Sequence, residues 1–227
     1  MRRPFLPVLI VILISAVGIF FALTYKIPEV QVFQMYQHLD QEIVTCEKQN
    51  TNTLEDNLNA LQASVSSLIS AGQTYDGSAD LTELFESFNT QYNMLKQYNE
   101  SVATCISSAI EKTNFEQIEK VIKKLPTDLQ TLGHDMTSLQ QERTTKLTAL
   151  EAQLSSLVNT LSNFEEMFYN TKTSEAVQYF QSVNVAFSEV QTLHTDYMTT
   201  VEAYYTAKTA YYESIANKGT LDYIFKK

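Results

Sequence analysis

The chain alternates between two hydrophobic patterns. From Phe5 to Tyr25 runs an apolar stretch of 21 residues with no charge inside it. As a helix it is about 32 Å long, enough to cross a hydrocarbon core of about 30 Å. After it the pattern becomes polar, with apolar positions recurring every three or four residues, which is the period of a helix with one buried face.

Four such segments follow, at 28–71, 80–125, 127–169 and 174–216. In the first, Val32, Tyr36, Leu39, Ile43, Leu54, Leu58, Leu61, Val65 and Leu68 share a stripe, and the polar tract 47–53 is its weakest point. Pro28 suits a first helical turn, where its missing N–H is not needed. Gly72 to Asp80, with Asp76-Gly77 at its centre, reads as a turn. Asp80 with Glu83 reads as a capping box for the second segment.

That second segment steps through Leu81, Phe85, Phe88, Tyr92, Leu95, Asn99, Val102 and Ile106 in alternating fours and threes, a heptad seam. Asn114 with Gln117 suits a cap inside it, and Pro126 must end it. Thr127 with Gln130 reads as the cap of the third segment. The third stripe, from Leu129 to Phe168, includes Arg143 and carries a stutter around it. The fourth runs from Phe180 through Val190, His194, Tyr197, Tyr204, Lys208 and Tyr211 to Ile215. Gly219 suits a left-handed stop.

Each segment is roughly 65 Å as a helix, and short turns join them. Equal lengths and short turns predict an all-α protein: an N-terminal transmembrane helix followed by an elongated antiparallel, up-down-up-down four-helix bundle with coiled-coil-like seams. The expected divisions are a cytoplasmic 1–4, a signal anchor at 5–25, an extracytoplasmic bundle over 28–219, and a short aromatic and basic tail over 220–227. Arg2 and Arg3 before the span predict a cytoplasmic N-terminus, with the bulk of the chain periplasmic, extracellular or lumenal. Gly18 and Ala22 form a small-xxx-small pair suited to close approach of two spans. Tyr223, Ile224, Phe225, Lys226 and Lys227 suit a contact with the lipid headgroups.

Charge narrows the partners. The chain carries 16 basic and 26 acidic residues, a net charge of −10. Five of the bases (Arg2, Arg3, Lys26, Lys226, Lys227) sit at the two ends, so the stretch between them is more acidic still. Such a surface repels phosphate backbones, which argues against nucleic acid.

The two cysteines test the register. In an antiparallel hairpin, residues at one height have a constant sum of numbers. The midpoint between Ala71 and Asp80 is also the midpoint between Cys46 and Cys105. The pair therefore falls at one level of two adjacent helices, and an oxidising compartment favours a Cys46–Cys105 disulfide. Small buried hydrophobes are the plainer role for the same two side chains.

Chemistry is sparse. No Gly-rich phosphate loop, Gly-x-Ser-x-Gly, His-Glu-x-x-His or Cys-x-x-Cys occurs, and no Glu precedes a His by three as a di-iron bundle requires. The expectation is a protein without catalysis, cofactor or metal. Asn50, Asn99 and His194 interrupt the apolar stripes at comparable heights, with Arg143 somewhat lower, as a polar core layer read either as register control or as a pocket. Lys208 reads as a side chain that reaches past the core to solvent. Tyr204-Tyr205 and Tyr211-Tyr212, with Tyr36 at matching height, form an aromatic stripe near the membrane end, read either as a belt facing a partner or lipid or, as is more common, as an aromatic core with its hydroxyls at the rim.

The expected role is a scaffold, spacer or interaction module with a protein partner or a second copy. The alternative is a sensory ligand-binding module: in outline the bundle resembles the periplasmic four-helix bundles of bacterial chemoreceptors, a likeness of architecture, and a small-molecule ligand would follow from it.

Overall fold

The structure is a computed structural model. It describes residues 27–75, 77–169 and 174–216, and within these the side chains of 38, 42–53, 105 and 108–112 are not included. The apolar stretch 5–25 with its Gly18 and Ala22, the tail 220–227, and the side chains of Cys46, Cys105 and Asn50 lie outside the described residues. Among the described residues, no helix is long and apolar enough to cross a membrane.

The described chain is an all-helical bundle. Helix α1 spans Pro28–Thr74, α2 Thr82–Lys112, α3 Phe115–Ile122, α4 Thr127–Leu161, α5 Phe164–Tyr169 and α6 Ser174–Ala216. Pro28 sits in the first turn of α1 behind an extended Ile27, and α1 continues without a break through 47–53. Its end is turned by Gly77 at φ +89°, a conformation that favours glycine. Asp80 then accepts the Thr82 N–H at 3.0 Å, and the Thr82 side chain together with this N–H holds its carboxyl below the usual carboxylate range.

Two long segments are interrupted. The stretch expected as one helix over 80–125 breaks at Thr113–Asn114, where Asn114 Oδ1 accepts the Gln117 N–H at 2.9 Å and starts α3. The stretch over 127–169 breaks at Ser162–Asn163. Ser162 Oγ donates to the Asn159 carbonyl at 2.7 Å, an alternative to continuing the ladder. The cap expected from Thr127 and Gln130 takes another form. Pro126 precedes α4 without a side-chain cap, and Gln130 Nε2 reaches back to the carbonyls of Leu125 and Lys123, at 2.7 and 3.2 Å. Gln130 thereby closes the end of the preceding helix.

Neighbouring long helices run antiparallel, because their paired numbers move in opposite directions. Helices α2 and α4 meet at Tyr92 Oη with the Val158 carbonyl and at Asn99 with Ser155. Helices α4 and α6 meet at Tyr179 with Thr160, Gln153 with Glu189 and Lys146 with Thr200. Helices α1 and α6 meet at Gln191 with Gln62 and, nearer their other ends, at Tyr204 with Asp40. Ser64 and Ser87 link α1 to α2 at 3.1 Å, and their numbers share the midpoint of Cys46 and Cys105.

The core falls into two apolar clusters. One gathers Leu54, Leu58, Leu61, Val65 and Leu68 of α1 with Leu150, Leu154, Leu157, Phe164, Phe168, Phe187 and Val190. The other gathers Val32, Tyr36 and Leu39 with Ile118, Val121, Ile122, Leu129, Met136, Tyr204 and Tyr211. Each fully buried aliphatic or aromatic side chain contributes about 1.5–3 kcal/mol, which is what holds helices of this length together. Gly133 lets α3 and α4 approach closely: a Cβ there would meet Ile122 Cγ1 at 3.2 Å.

Candidate functional site: a buried ionic and aromatic layer

Along α4, the boundary between the two apolar clusters is polar. Met136 belongs to one and Leu150 to the other; Gln140 and Arg143, both buried, lie between them. A guanidinium only 1 % exposed in a helix core needs an anion, and α1 supplies Asp40, itself 6 % exposed. Arg143 Nη1 stands 3.8 Å from Asp40 Oδ1. From α6, Tyr204 Oη donates to the same Oδ1 at 2.9 Å, and Lys208 Nζ donates to Oδ2. One carboxylate thus joins three helices.

The tyrosines wrap these cations. The Arg143 guanidinium lies 5.1 Å from the centroid of the Tyr204 ring and 5.3 Å from that of Tyr205. Lys208 Nζ lies 5.4 Å from the Tyr212 centroid and 5.7 Å from the Tyr205 centroid. Such placements are each favourable by about 0.5–2 kcal/mol as water is excluded. Arg143 also donates to Gln140 Oε1 at 3.3 Å. Next to the layer, Tyr36 Oη donates to Thr137 Oγ1 at 2.5 Å, and Thr137 donates on to the Gly133 carbonyl at 2.8 Å.

Burial sets the titration of these groups. It pushes the Tyr36 and Tyr204 hydroxyls well above the usual tyrosine range, against the hydrogen bond to Thr137 at Tyr36 and against Arg143 at Tyr204. Tyr212 is pushed up to about 12 by burial. Burial draws the Lys208 ammonium below its ordinary value, while the adjacent Asp40 carboxylate favours its charged form. The Asp40 carboxylate is held by Tyr204, Arg143 and Lys208, while Gln140 Nε2 and Tyr212 Oη, beside it, have no hydrogen-bond partner among the described residues. What the layer does chemically is cross-brace helices.

Of the polar positions read from the sequence, Arg143 lies apart from Asn99 along α4. Arg143 belongs to the site just described. Asn99 donates to Ser155 Oγ at 2.7 Å, and Ser155 donates to Glu151 at 3.2 Å, three turns further along α4. His194 lies on α6 beside Glu55 of α1, and burial draws its imidazole below the ordinary value, with Glu55 opposing. Asn99 Oδ1 and His194 Nε2 are buried without a hydrogen-bond partner among the described residues. Asn50 lies outside the described side chains. His134, on another face, pairs with Glu119 at 3.0 Å.

Lys208 differs from its sequence reading. Its ammonium pairs with Asp40, while its side chain keeps 16 % of its surface exposed. Of the two readings of the tyrosine stripe, the aromatic core is the one found at Tyr36, Tyr204 and Tyr211, all fully buried. Asp40, Gln140 and Thr137 were not singled out by sequence. The signal for Asp40 was present: two apolar stripes each carried a cation, and a buried cation requires an acid on a facing stripe.

Comparison with family models, with curated proteins and with solved structures finds no match for this chain.

Proposed function

We propose that the chain is a membrane-anchored extracytoplasmic helical bundle with a scaffold, spacer or protein-interaction role and no catalysis. In this reading residues 5–25 are a signal anchor with the N-terminus cytoplasmic. The bundle has up-down-up-down four-helix topology with coiled-coil-like seams. Gly18 and Ala22 pack spans together, and Tyr223 to Lys227 rests at the headgroups. The observation that carries the reading is Asp40, the carboxylate to which α1, α4 and α6 all contribute. This polar chemistry ties three helices together, as a strut requires.

The test is thiol labelling of intact cells with a membrane-impermeant reagent, paired with crosslinking in native membranes. Labelling of Cys46 and Cys105 only after reduction, together with crosslinks to a defined partner, supports the role. Labelling restricted to permeabilised cells removes the extracytoplasmic placement.

A second reading is a sensory ligand-binding module, with a membrane partner to carry the signal. It draws on Asn99 Oδ1 and His194 Nε2, two buried polar atoms that a bound small molecule would satisfy. Melts of the protein against a panel of small polar metabolites test it. A ligand that raises Tm in the wild type and not in His194→Leu or Asn99→Leu favours the sensor over the scaffold.

A further inference from the structure

The outward face of α6 carries its own seam. Thr195, Thr199, Glu202, Thr206, Thr209 and Glu213 are all exposed and alternate in steps of four and three. That spacing is the pattern a second helix can pack against. A helix face meant only for water ordinarily carries lysine and glutamate, which favour helix, whereas threonine disfavours it. Three of these threonines spend their hydroxyl donors inside the helix. Thr195, Thr199 and Thr206 donate their hydroxyls to the carbonyls of Gln191, Thr195 and Glu202 in the preceding turn, at 2.9, 2.9 and 3.0 Å. Their donors are satisfied within the helix, and what remains for a partner is largely methyl.

Hollows flank this seam on both sides. The one towards α4 is about 650 Å³ and is floored by Ala203, Ala207 and Ala210, which allow a close approach. The one towards α1 is about 470 Å³ and is lined by Glu55, Met198 and His194. His194 is 8 % exposed, and its Nε2 has no partner among the described residues. The carboxylates lining these hollows and the face between them are Glu55, Asp135, Glu202 and Glu213, and no lysine or arginine lines any of them.

We propose that the face of α6 from Thr195 to Glu213 is a docking seam for a basic amphipathic helix of a partner protein. The proposal rests on the interaction-module reading above and names its partner's chemistry. A second copy docked through the same face would bring carboxylates against carboxylates on a chain whose net charge is −10. An anionic lipid surface would be repelled likewise. A helix with small or apolar residues on its seam and bases beside it meets both features. Glu202 and Glu213 are three turns apart, about 16 Å, so its lysines or arginines recur at that interval.

The probe is a synthetic peptide of about four heptads with an alanine and leucine seam flanked by lysines, and a twin flanked by glutamates. Each is titrated by fluorescence anisotropy, at physiological salt, into the full chain in nanodiscs of zwitterionic lipid. The lysine peptide is expected to bind and the glutamate twin not to. Glu202→Lys with Glu213→Lys should weaken binding at least about tenfold, whereas Glu83→Lys with Glu86→Lys, an equal change of net charge on exposed positions of α2, should change it less than about twofold. Equal losses in both double variants would reduce the effect to net charge and overturn the seam. Absence of binding by the lysine peptide overturns it too. A dimer by sedimentation that the Glu202→Lys, Glu213→Lys variant alone dissolves would assign the face to a second copy and overturn the proposal. Crosslinks to a partner from positions remote from α6 would, in that event, leave the broader interaction role standing.

Discussion

Replacing Asp40 with asparagine keeps the side-chain shape and removes the charge that Arg143 and Lys208 both face. Breaking a buried pair by deleting one partner costs about 3–5 kcal/mol, because the remaining charge stays buried. Lys208 moderates this: its side chain is 16 % exposed against 1 % for Arg143, so the ammonium has a short path to water. The expected loss is therefore at the lower end, about 3 kcal/mol. For a bundle of this size that lowers Tm by roughly 6–12 °C. Urea unfolding followed by far-ultraviolet circular dichroism, with the full chain in micelles, should show a lower midpoint at unchanged slope. Lys208→Met and the double variant complete a cycle whose coupling energy should be about 1 kcal/mol or more. The counterpart is the triple replacement Asp40→Leu, Arg143→Met, Lys208→Met, which removes all three charges together and should be as stable as the wild type or more so. An Asp40→Asn variant within about 0.5 kcal/mol of wild type, the range of inert surface changes, would refute the view that this layer braces the bundle.

Three further outcomes follow from named contacts. His194 has a folded pKa below its ordinary 6.5, so below that value the unfolded chain binds more protons than the folded one. Stability is then lost as pH falls through 6.5 towards the folded value, and His194→Gln should flatten that part of the profile; identical slopes in both proteins would show that His194 is not the group responsible. Gly133→Leu should cost about 1–3 kcal/mol by forcing α3 off α4, since even a Cβ meets three atoms of Ile122 within 3.4 Å; an unchanged urea midpoint would mean that the contact yields freely. If the Ser64–Ser87 pairing sets the level of Cys46 and Cys105 as well, exported, unreduced protein should take up no alkylating reagent, and reduction should lower stability by up to about 4 kcal/mol in the chain-entropy model; two reactive thiols before reduction exclude the bond.

Much of the architecture was legible because it is local. Helical period, the proline starts, the Gly77 turn and the Asp80 and Asn114 caps depend on residues within a few positions of each other. Equal segment lengths carried the order of antiparallel neighbours, since short turns leave long helices little choice of partner. The break at Ser162–Asn163 was less visible, because a serine and an asparagine are compatible with either a continuing helix or a local side-chain bond, and packing selects between them. Gln130 was misassigned for a related reason: its side chain is long enough to reach either helix end.

The periodic pattern determined that the described segments are helical and which stripe of each is buried, and the local cap and turn residues marked most of their ends. Only the tertiary structure decided that Asp40 stands between Arg143 and Lys208, and that the core divides into two clusters at that point. The first set depends on the geometry of one helix. The second depends on the rotation and register of three helices packed together, where a shift of one residue turns a side chain by about 100° and a buried charge must find its partner on a different element.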